Sequence, residues 1–432
     1  MKLKDIVTLK TKSIVPLQDE HYHLYSLPSF DKNQCREEIL GKDIQSNKYI
    51  VPDKCILFNK LNVRFKRVWR IDNKDNNKLC STEFLPLIID KTKVNYQYCY
   101  YLLISERITD YLCGQNTNTS GSHKRIDPLD FLNIDIQLPF IEEQTRIGSL
   151  LAYIDSKIAL NRAINHNLEA MAKQLYDYWF VQFDFPNKEG KPYKSSGGEM
   201  VWNEKLKRKI PKGWESKCLS EMVDIMNGAT PSTAIAENYG GDVIWITPKD
   251  LSEQQSKFID HGQRNITQKG FSSCSTSMLP VGTLLLSSRA PIGLLSIAKT
   301  ELCTNQGFKS LVPKCVDDTN LLYYYIKWHI PQIEQLGTGT TFKEVSKDDL
   351  SSFPILCVTN KSVYSKWCDI SESLFSQQYE FTKEIESLTK QRNELLPLLM
   401  NGQVSVNYDL SHIRNRDRKH FYLALYLFYT FH

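Results

Sequence analysis

The sequence predicts a duplicated α+β protein: two similar α/β-type globular domains, each followed by a long helix. Two observations carry that expectation. Similar stretches of text recur in the same order about half a chain apart. Each copy then gives way to a long run of apolar residues at alternating steps of four and three. Two such helices in one chain can pair antiparallel as a coiled coil, giving the molecule an internal pseudo-two-fold repeat.

Taken in order, residues 3–9 (LKDIVTL) and 219–225 (LSEMVDI) place apolar side chains at equal offsets, as an opening amphipathic turn. Residues 51–59 (VPDKCILFN) match 279–287 (LPVGTLLLS), a proline-led turn running into a buried strand. Residues 80–87 (CSTEFLPL) match 303–311 (CTNQGFKSL), a second strand entered through small polar residues. Residues 100–103 (YYLL) match 323–326 (YYYI) as an aromatic stretch opening a helix, and 120–134 match 339–353, a Gly/Thr-rich loop leading to a short acidic-aromatic strand. Loops rich in Ser, Thr, Asn, Gly and Lys on such a frame are where recognition sits.

The first long helix has its seam at Ile147, Leu151, Ile154, Ile158, Asn161, Asn165, Leu168, Ala172, Leu175 and Trp179. The second has Leu374, Gln378, Phe381, Ile385, Leu388, Arg392, Leu395 and Leu399. A 3.5-residue period held this long points to a coiled coil rather than to a surface helix on a globular core, and the polar seam residues Asn161, Asn165 and Gln378 fix register at some cost. Residues 147–179 as helix extend about 50 Å. That is more than one turn of duplex DNA, about 34 Å. Pro397 is expected to end or kink the second helix. The domains divide as 1–140, a central helix at 141–185, linker and second domain at 186–356, a second helix at 357–408, and an atypical basic and apolar tail at 409–432.

Composition narrows the class. Hydrophobic residues at 41% and charged residues at 24% suit a soluble globular chain, and the formal charge of +5 permits nucleic-acid binding. Eleven cysteines without a CxxC pair, and a start (MKLKDIVTLK) without an apolar core, suggest a reducing, cytoplasmic setting. No apolar run is long enough to span a bilayer. The basic run 205–209 (KLKRK) reads as a solvated linker, following the Pro/Gly/Ser/Lys stretch 185–198.

Catalytic motifs are missing from the text. There is no GxxxxGK[ST] phosphate loop, no GxGxxG after a strand, and no Asn/Asp-Pro-Pro-aromatic motif for holding a flipped adenine. A carboxylate-carboxylate-lysine spacing, Asp53 with Asp72 and Lys74, resembles that of a metal-dependent nuclease, although Asp53 falls in a turn. His21 and His23 flank Tyr22 without further metal-spaced ligands and read as loop histidines, so no metal site is expected. Residues 64–70 (RFKRVWR), taken as a strand, would put Arg64, Lys66 and Arg70 on one face toward phosphates or solvent. A duplicated frame without catalysis indicates a reader or a scaffold.

The second half carries IPKGWE (210–215), GATPST (228–233), YGGDVIWITPKDLS (239–252), LLLSSRAPIG (284–293), CTNQGFKSLVP (303–313) and GTGTTFKEVS (337–346). With the helical segments 142–180 and 384–406, this order resembles the specificity subunits of type I restriction-modification systems over nearly the whole chain. The first half lacks the TPST and GTTFKEVS wording, and the tail after about residue 410 lies outside the pattern. The resemblance implies two target-recognition domains reading the halves of a bipartite, asymmetric DNA site. It implies helices that set the unread spacer and dock two methyltransferase (modification) subunits. S-adenosylmethionine, ATP and Mg²⁺ would be used by those partners and by motor-nuclease subunits, so no cofactor is expected on this chain.

The DNA-contact candidates are Lys249, Ser288, Arg289, Thr304, Asn305, Gln306, Thr338, Thr340, Thr341 and Lys343 in the second half. In the first they are Asn59, Lys60, Arg64, Lys66, Ser81, Thr82, His123 and Lys124. Gly228, Gly241, Gly293 and Gly307 are expected to shape loops. The alternatives are a stand-alone DNA-binding or coiled-coil scaffold protein and the Asp53/Asp72/Lys74 nuclease. If the helices are a ruler, inserting one heptad in both should change the spacer of the modified DNA sequence and leave both half-sites as they were. A changed half-site in methylation mapping would refute the ruler.

Overall fold

The computed structural model describes residues 1–114, 125–254, 256–338 and 343–406. The tail at 409–432 and the candidates His123, Lys124, Thr340 and Thr341 lie outside the described residues. The chain forms two compact units. Unit 1 takes its described residues from 1–161 and 384–406, and unit 2 lies within 162–383.

Unit 1 is built on a sheet of β1 (Val7–Leu9), β2 (Lys54–Asn59), β3 (Val68–Asp72) and β4 (Phe84–Ile89), in the order β1-β4-β2-β3 and antiparallel throughout. Unit 2 uses β5 (Val223–Asn227), β6 (Phe258–Ile259), β7 (Leu284–Ser287), β8 (Leu295–Ala298) and β9 (Phe308–Pro313), in the order β5-β9-β7-β8-β6. The first four positions of both orders correspond strand for strand, and three of the four fall in the repeated text. The parallel partner β6 is unit 2's addition. A second sheet of unit 1, His21–Tyr25 among its strands, covers the far side. His21 and His23 therefore sit on a strand and not in a loop, and Arg36 donates to His23 Nδ1 at 3.1 Å.

Why the central strands read as unbroken apolar runs is visible in their two faces. Ile56 and Phe58 enter one core with Leu85, Leu87, Tyr98 and Leu102, while Cys55 and Leu57 enter another with Tyr25, Trp69 and Phe84. In unit 2, Leu284 and Leu286 face Tyr324 and Trp367, and Leu285 faces Ile246 and Phe308. A sheet covered on both faces loses the alternation of a half-exposed one.

One cover comes from the helices. α1 (Tyr96–Ile104) and the first half of α2 (Ile141–Tyr176) lie on the unit 1 sheet, and α3 (Thr319–Leu336) and the first half of α4 (Lys361–Met400) on that of unit 2. Each long helix is docked through its first turn. Buried Gln144 accepts from Asn95 N–H at 2.9 Å, where Asn95 is also the N-cap of α1. At the equivalent place Tyr364 OH donates to Asp318 at 2.7 Å, beside the start of α3. A Cβ on Gly148 would fall 2.8 Å from the backbone nitrogen of Tyr98, so α1 rests directly on α2 there.

The heptad positions behave as a shared seam. Ile147, Leu151, Ile154 and Ile158 join the sheet core of unit 1, together with Leu388 and partly buried Ile385 and Leu395 from α4. The long period thus serves a globular core and a helix pair at once, more than the coiled coil that the spacing alone suggested. Within unit 1, Arg392 reaches Asp155 at 3.0 Å and Asn161 reaches Glu384 at 2.7 Å. Within unit 2, Asn165 reaches Thr382 at 3.1 Å and Gln378 reaches Glu169 at 3.3 Å. Rising numbers meet falling ones in both, so the helices run antiparallel. Leu168 and Gln378 are buried, while Leu175, Leu374 and Phe381 are half-buried. Pro397 lies inside α4, which runs three residues further to Met400 and stops at Gly402, whose φ of +68° suits a helix end.

Glu169 is the polar centre of unit 2. It accepts from Lys257, from Lys327 at 2.9 Å and from Tyr324 OH at 3.0 Å. Burial would raise its carboxyl, but the two lysine charges and their hydrogen bonds outweigh it and hold the group at about 2. Burial in turn pulls Lys257 down to about 8 against the attraction of Glu169. Because the folded value of Glu169 is depressed, its contribution is complete above 4.5 and disappears as pH falls toward 2. Glu169→Gln should cost about 3 kcal/mol at neutral pH, since it leaves buried lysine charge unpaired. Urea unfolding followed by tryptophan fluorescence should show the gap to wild type closing between those two pH values; a gap independent of pH would contradict the assignment.

Candidate nucleic-acid interface

In unit 2 the strand end at β7 organises the candidate residues. Ser288 N–H donates to Gly307 O at 2.8 Å, and Val345 N–H donates to Ser288 O at 3.0 Å. Arg289 and Thr338 both bridge to Glu344, which gathers three chain segments on one edge. The 304–307 turn joins them: Asn305 accepts from Gly307 N–H at 2.9 Å, and exposed Gln306 takes a hydrogen bond from Thr230. The loop bearing Thr230 can approach because of Gly228, where a Cβ would lie 2.1 Å from Asn305 O. Lys249 stands exposed at the start of the Pro248–Gln254 helix and pairs with Glu253 at 3.5 Å. Lys343 is exposed beside Glu344.

Charge on this edge is held in place. Glu344 accepts from Arg289 Nε at 2.9 Å and from buried Lys309 at 3.0 Å. Burial works against ionisation of Glu344, yet those two hydrogen bonds and charges keep its carboxyl below the ordinary range.

Unit 1 builds the same edge from other residues. Lys60 N–H donates to Glu83 O at 2.9 Å, Ile126 N–H donates to Lys60 O at 3.0 Å, and Leu61 bridges to Arg125. Arg125 forms a bidentate pair with Glu83 at 2.8 and 3.0 Å. Half-buried Ser81 and Thr82 precede Glu83 in the turn. Leu61 thus occupies the place of Arg289, and Arg125 that of Glu344, so one member of the bridge loses its charge and the other reverses it between the units. Neither Arg125 nor Glu83 was a sequence candidate, for no motif connects residues so far apart in the chain.

Several candidates have structural duties instead. Asn59 is 2% exposed, and its side chain bonds both the N–H and the C=O of Leu61. Ser288 and Thr304 are each 1% exposed, with Ser288 Oγ on Gly307 O and Thr304 Oγ1 against Ser310. These three hold the edge rather than stand on it. Residues 64–70 are not one strand: Val63–Phe65 is a 3-10 turn and only the end belongs to β3. Arg64 and Lys66 therefore lie exposed on a loop, whereas Arg70 packs over Tyr100. Asp53 accepts from buried Lys78 and Asp72 from Lys54, both at 3.0 Å, so lysines already occupy both carboxylates of the nuclease-like spacing.

Asn59→Ala should lower unfolding stability by about 1–3 kcal/mol through the unsatisfied Leu61 groups. Equilibrium urea melts compare it with Lys60→Ala, which should stay within about 0.5 kcal/mol of wild type; equal losses would reverse the assignment.

Residues 1–170 and 211–358 match the family described as the type I restriction modification DNA specificity domain. The chain is 43% identical over 149 residues to the type I restriction enzyme MjaIX specificity subunit of Methanocaldococcus jannaschii, covering 34% of each chain. It thus spans about a third of that relative's length. It is 25% identical over 401 residues to the type I restriction enzyme HindI specificity subunit of Haemophilus influenzae, covering 81% of this chain and 86% of that one. The fold is similar to the crystal structure of a type I restriction-modification system S subunit from M. genitalium, with a TM-score of 0.62, 14% identity, and coverage of 92% and 95%. No helix among the described residues is long and apolar enough to cross a membrane.

Proposed function

This chain belongs to the type I restriction modification DNA specificity family, and on that premise we propose that it chooses the DNA sequence on which a type I restriction-modification complex acts. One observation carries the reading: the same sheet-and-helix frame occurs twice, and its two equivalent edges present different polar groups. A protein reading one sequence twice would repeat the edge along with the frame. Reversed charge and exchanged side chains at equivalent positions suit a bipartite, asymmetric duplex target.

In unit 2 the groups offered to DNA are Lys249, Arg289, Asn305, Gln306, Thr338 and Lys343, with Thr340 and Thr341 beside them in sequence. In unit 1 they are Lys60, Arg64, Lys66, Ser81, Thr82, His123 and Lys124, joined by Arg125. The chain itself carries out no chemistry and takes no cofactor. Two methyltransferase subunits bring S-adenosylmethionine, motor-nuclease subunits bring ATP and Mg²⁺, and the complex works in the cytoplasm.

Reconstitution with the methyltransferase subunits, followed by genome-wide mapping of methylated adenine, tests this directly. One split, asymmetric sequence should be modified by the complex, and the isolated chain should neither methylate nor cleave. Mg²⁺-dependent cleavage by the isolated chain, lost in Asp72→Ala, would replace a reader with a nuclease.

A further inference from the structure

The connection from β2 to β3 ends in a tip that presents an aromatic ring to solvent. Phe65 is 57% exposed, although its neighbour Val63 is buried in the core of unit 1. Two non-glycine residues, Asn62 at φ +53° and Lys66 at φ +38°, adopt left-handed backbone on either side of it. Asparagine tolerates that region but a lysine side chain disfavours it, so the turn at Lys66 is shaped by its anchoring and not by local preference.

The ring is also braced. The Arg67 guanidinium lies 4.7 Å from its centroid and is fixed by a bidentate pair to Asp31 at 2.6 and 2.8 Å. Arg64 approaches the ring at 5.9 Å while its Nε donates to Asn62 at 3.0 Å. Among the described residues no carboxylate pairs with Arg64 or Lys66. The equivalent connection in unit 2 turns its apolar residue inward, Ile292 packing against the core.

A fixed, exposed ring flanked by unpaired cations is complementary to a surface that alternates flat apolar faces with negative charge. Stacked bases between phosphates have that pattern. We propose that Phe65 is an apolar wedge that enters the base stack of the duplex read by unit 1, with Arg64 and Lys66 on the flanking phosphates. The inference rests on the DNA-reading function proposed above and adds a deformation step to it. Unit 1 then distinguishes sequences partly by how readily one base step opens, and pyrimidine–purine steps open most readily.

The test uses the full chain in complex with its methyltransferase subunits and a duplex of the mapped methylation site, with 2-aminopurine placed in turn along the unit 1 half. Wild type and Phe65→Leu should brighten one position on binding, because an unstacked 2-aminopurine fluoresces more. Phe65→Ala should lose that signal and bind about 10-fold or more weakly, with an unchanged slope of log affinity against log salt. Lys66→Ala should keep the signal and lower that slope by about 1.

Wild-type affinity and fluorescence in Phe65→Ala would overturn the wedge while leaving the reading function standing. A wild-type complex that binds no DNA would sink both. Loss of methyltransferase subunits from Phe65→Ala, with DNA affinity retained, would reassign the ring to a protein contact.

Discussion

The two-sided burial of the central strands is the constraint on which the rest depends. A strand such as 54–59 buries side chains alternately on both faces, so its sheet needs a cover on each. Neither sheet supplies its own second cover. In unit 1 the cover is α1 with the first turns of α2, and in unit 2 it is α3 with the first turns of α4. The long helices are therefore part of each globular core before they are anything else. Their docking joints, Gln144 on Asn95 and Tyr364 on Asp318, are chemically different solutions at one position of the frame.

That frame tolerates exchange at its edges because the edge residues are not what holds it. Leu61 and Arg125 in unit 1 occupy the places of Arg289 and Glu344 in unit 2, and the backbone bridge survives the exchange. Backbone pairing fixes where the side chains emerge, while side-chain identity is left open. The buried polar residues do the opposite. Asn59, Ser288 and Thr304 are spent on neighbouring backbone or on a neighbouring hydroxyl, which keeps the turns closed.

Much of the architecture was legible in the text because it is periodic. Heptad steps gave the helices, and unbroken apolar runs gave strands 54–59 and 284–287. The interface was legible only in part. Residue type does not tell a polar group satisfied by its own turn from one facing solvent, so Asn59 and Thr304 looked like Gln306. Alternation misled at 64–66, where the left-handed residues Asn62 and Lys66 break the strand that the basic pattern suggested. The acidic-aromatic stretches expected as strands are instead short helices, Pro128–Leu132 and Lys347–Ser351, started by the N-caps Asp127 and Ser346. Phe65 was one of the aromatics interleaved in the basic stretch 64–70, but its exposure left no signal, since an exposed phenylalanine and a buried one are written alike. Arg125 and Glu83 meet only through folding.

Both edges pair an arginine with a carboxylate, Arg289 with Glu344 and Arg125 with Glu83, but the Phe65 tip of unit 1 stores its charge differently. Arg289 has its carboxylate partner already in place, and such a half-exposed pair contributes only about 0–1 kcal/mol. Exchanging Glu344 for a phosphate is then cheap, and the pair meanwhile keeps the guanidinium oriented, so little ordering entropy is lost on binding. Among the described residues Arg64 and Lys66 in unit 1 have no carboxylate partner; Arg64 is held instead by the neutral Asn62 side chain at 3.0 Å, beside the Phe65 ring. An edge of paired charges favours recognition by exchange of hydrogen bonds with a duplex left in its resting shape. A tip of unpaired cations around a ring favours recognition by reshaping the duplex. On the proposed reading one frame carries both, so the two halves of a split site need not be read by the same physics: bonding pattern would govern sequence preference in one half and deformability in the other.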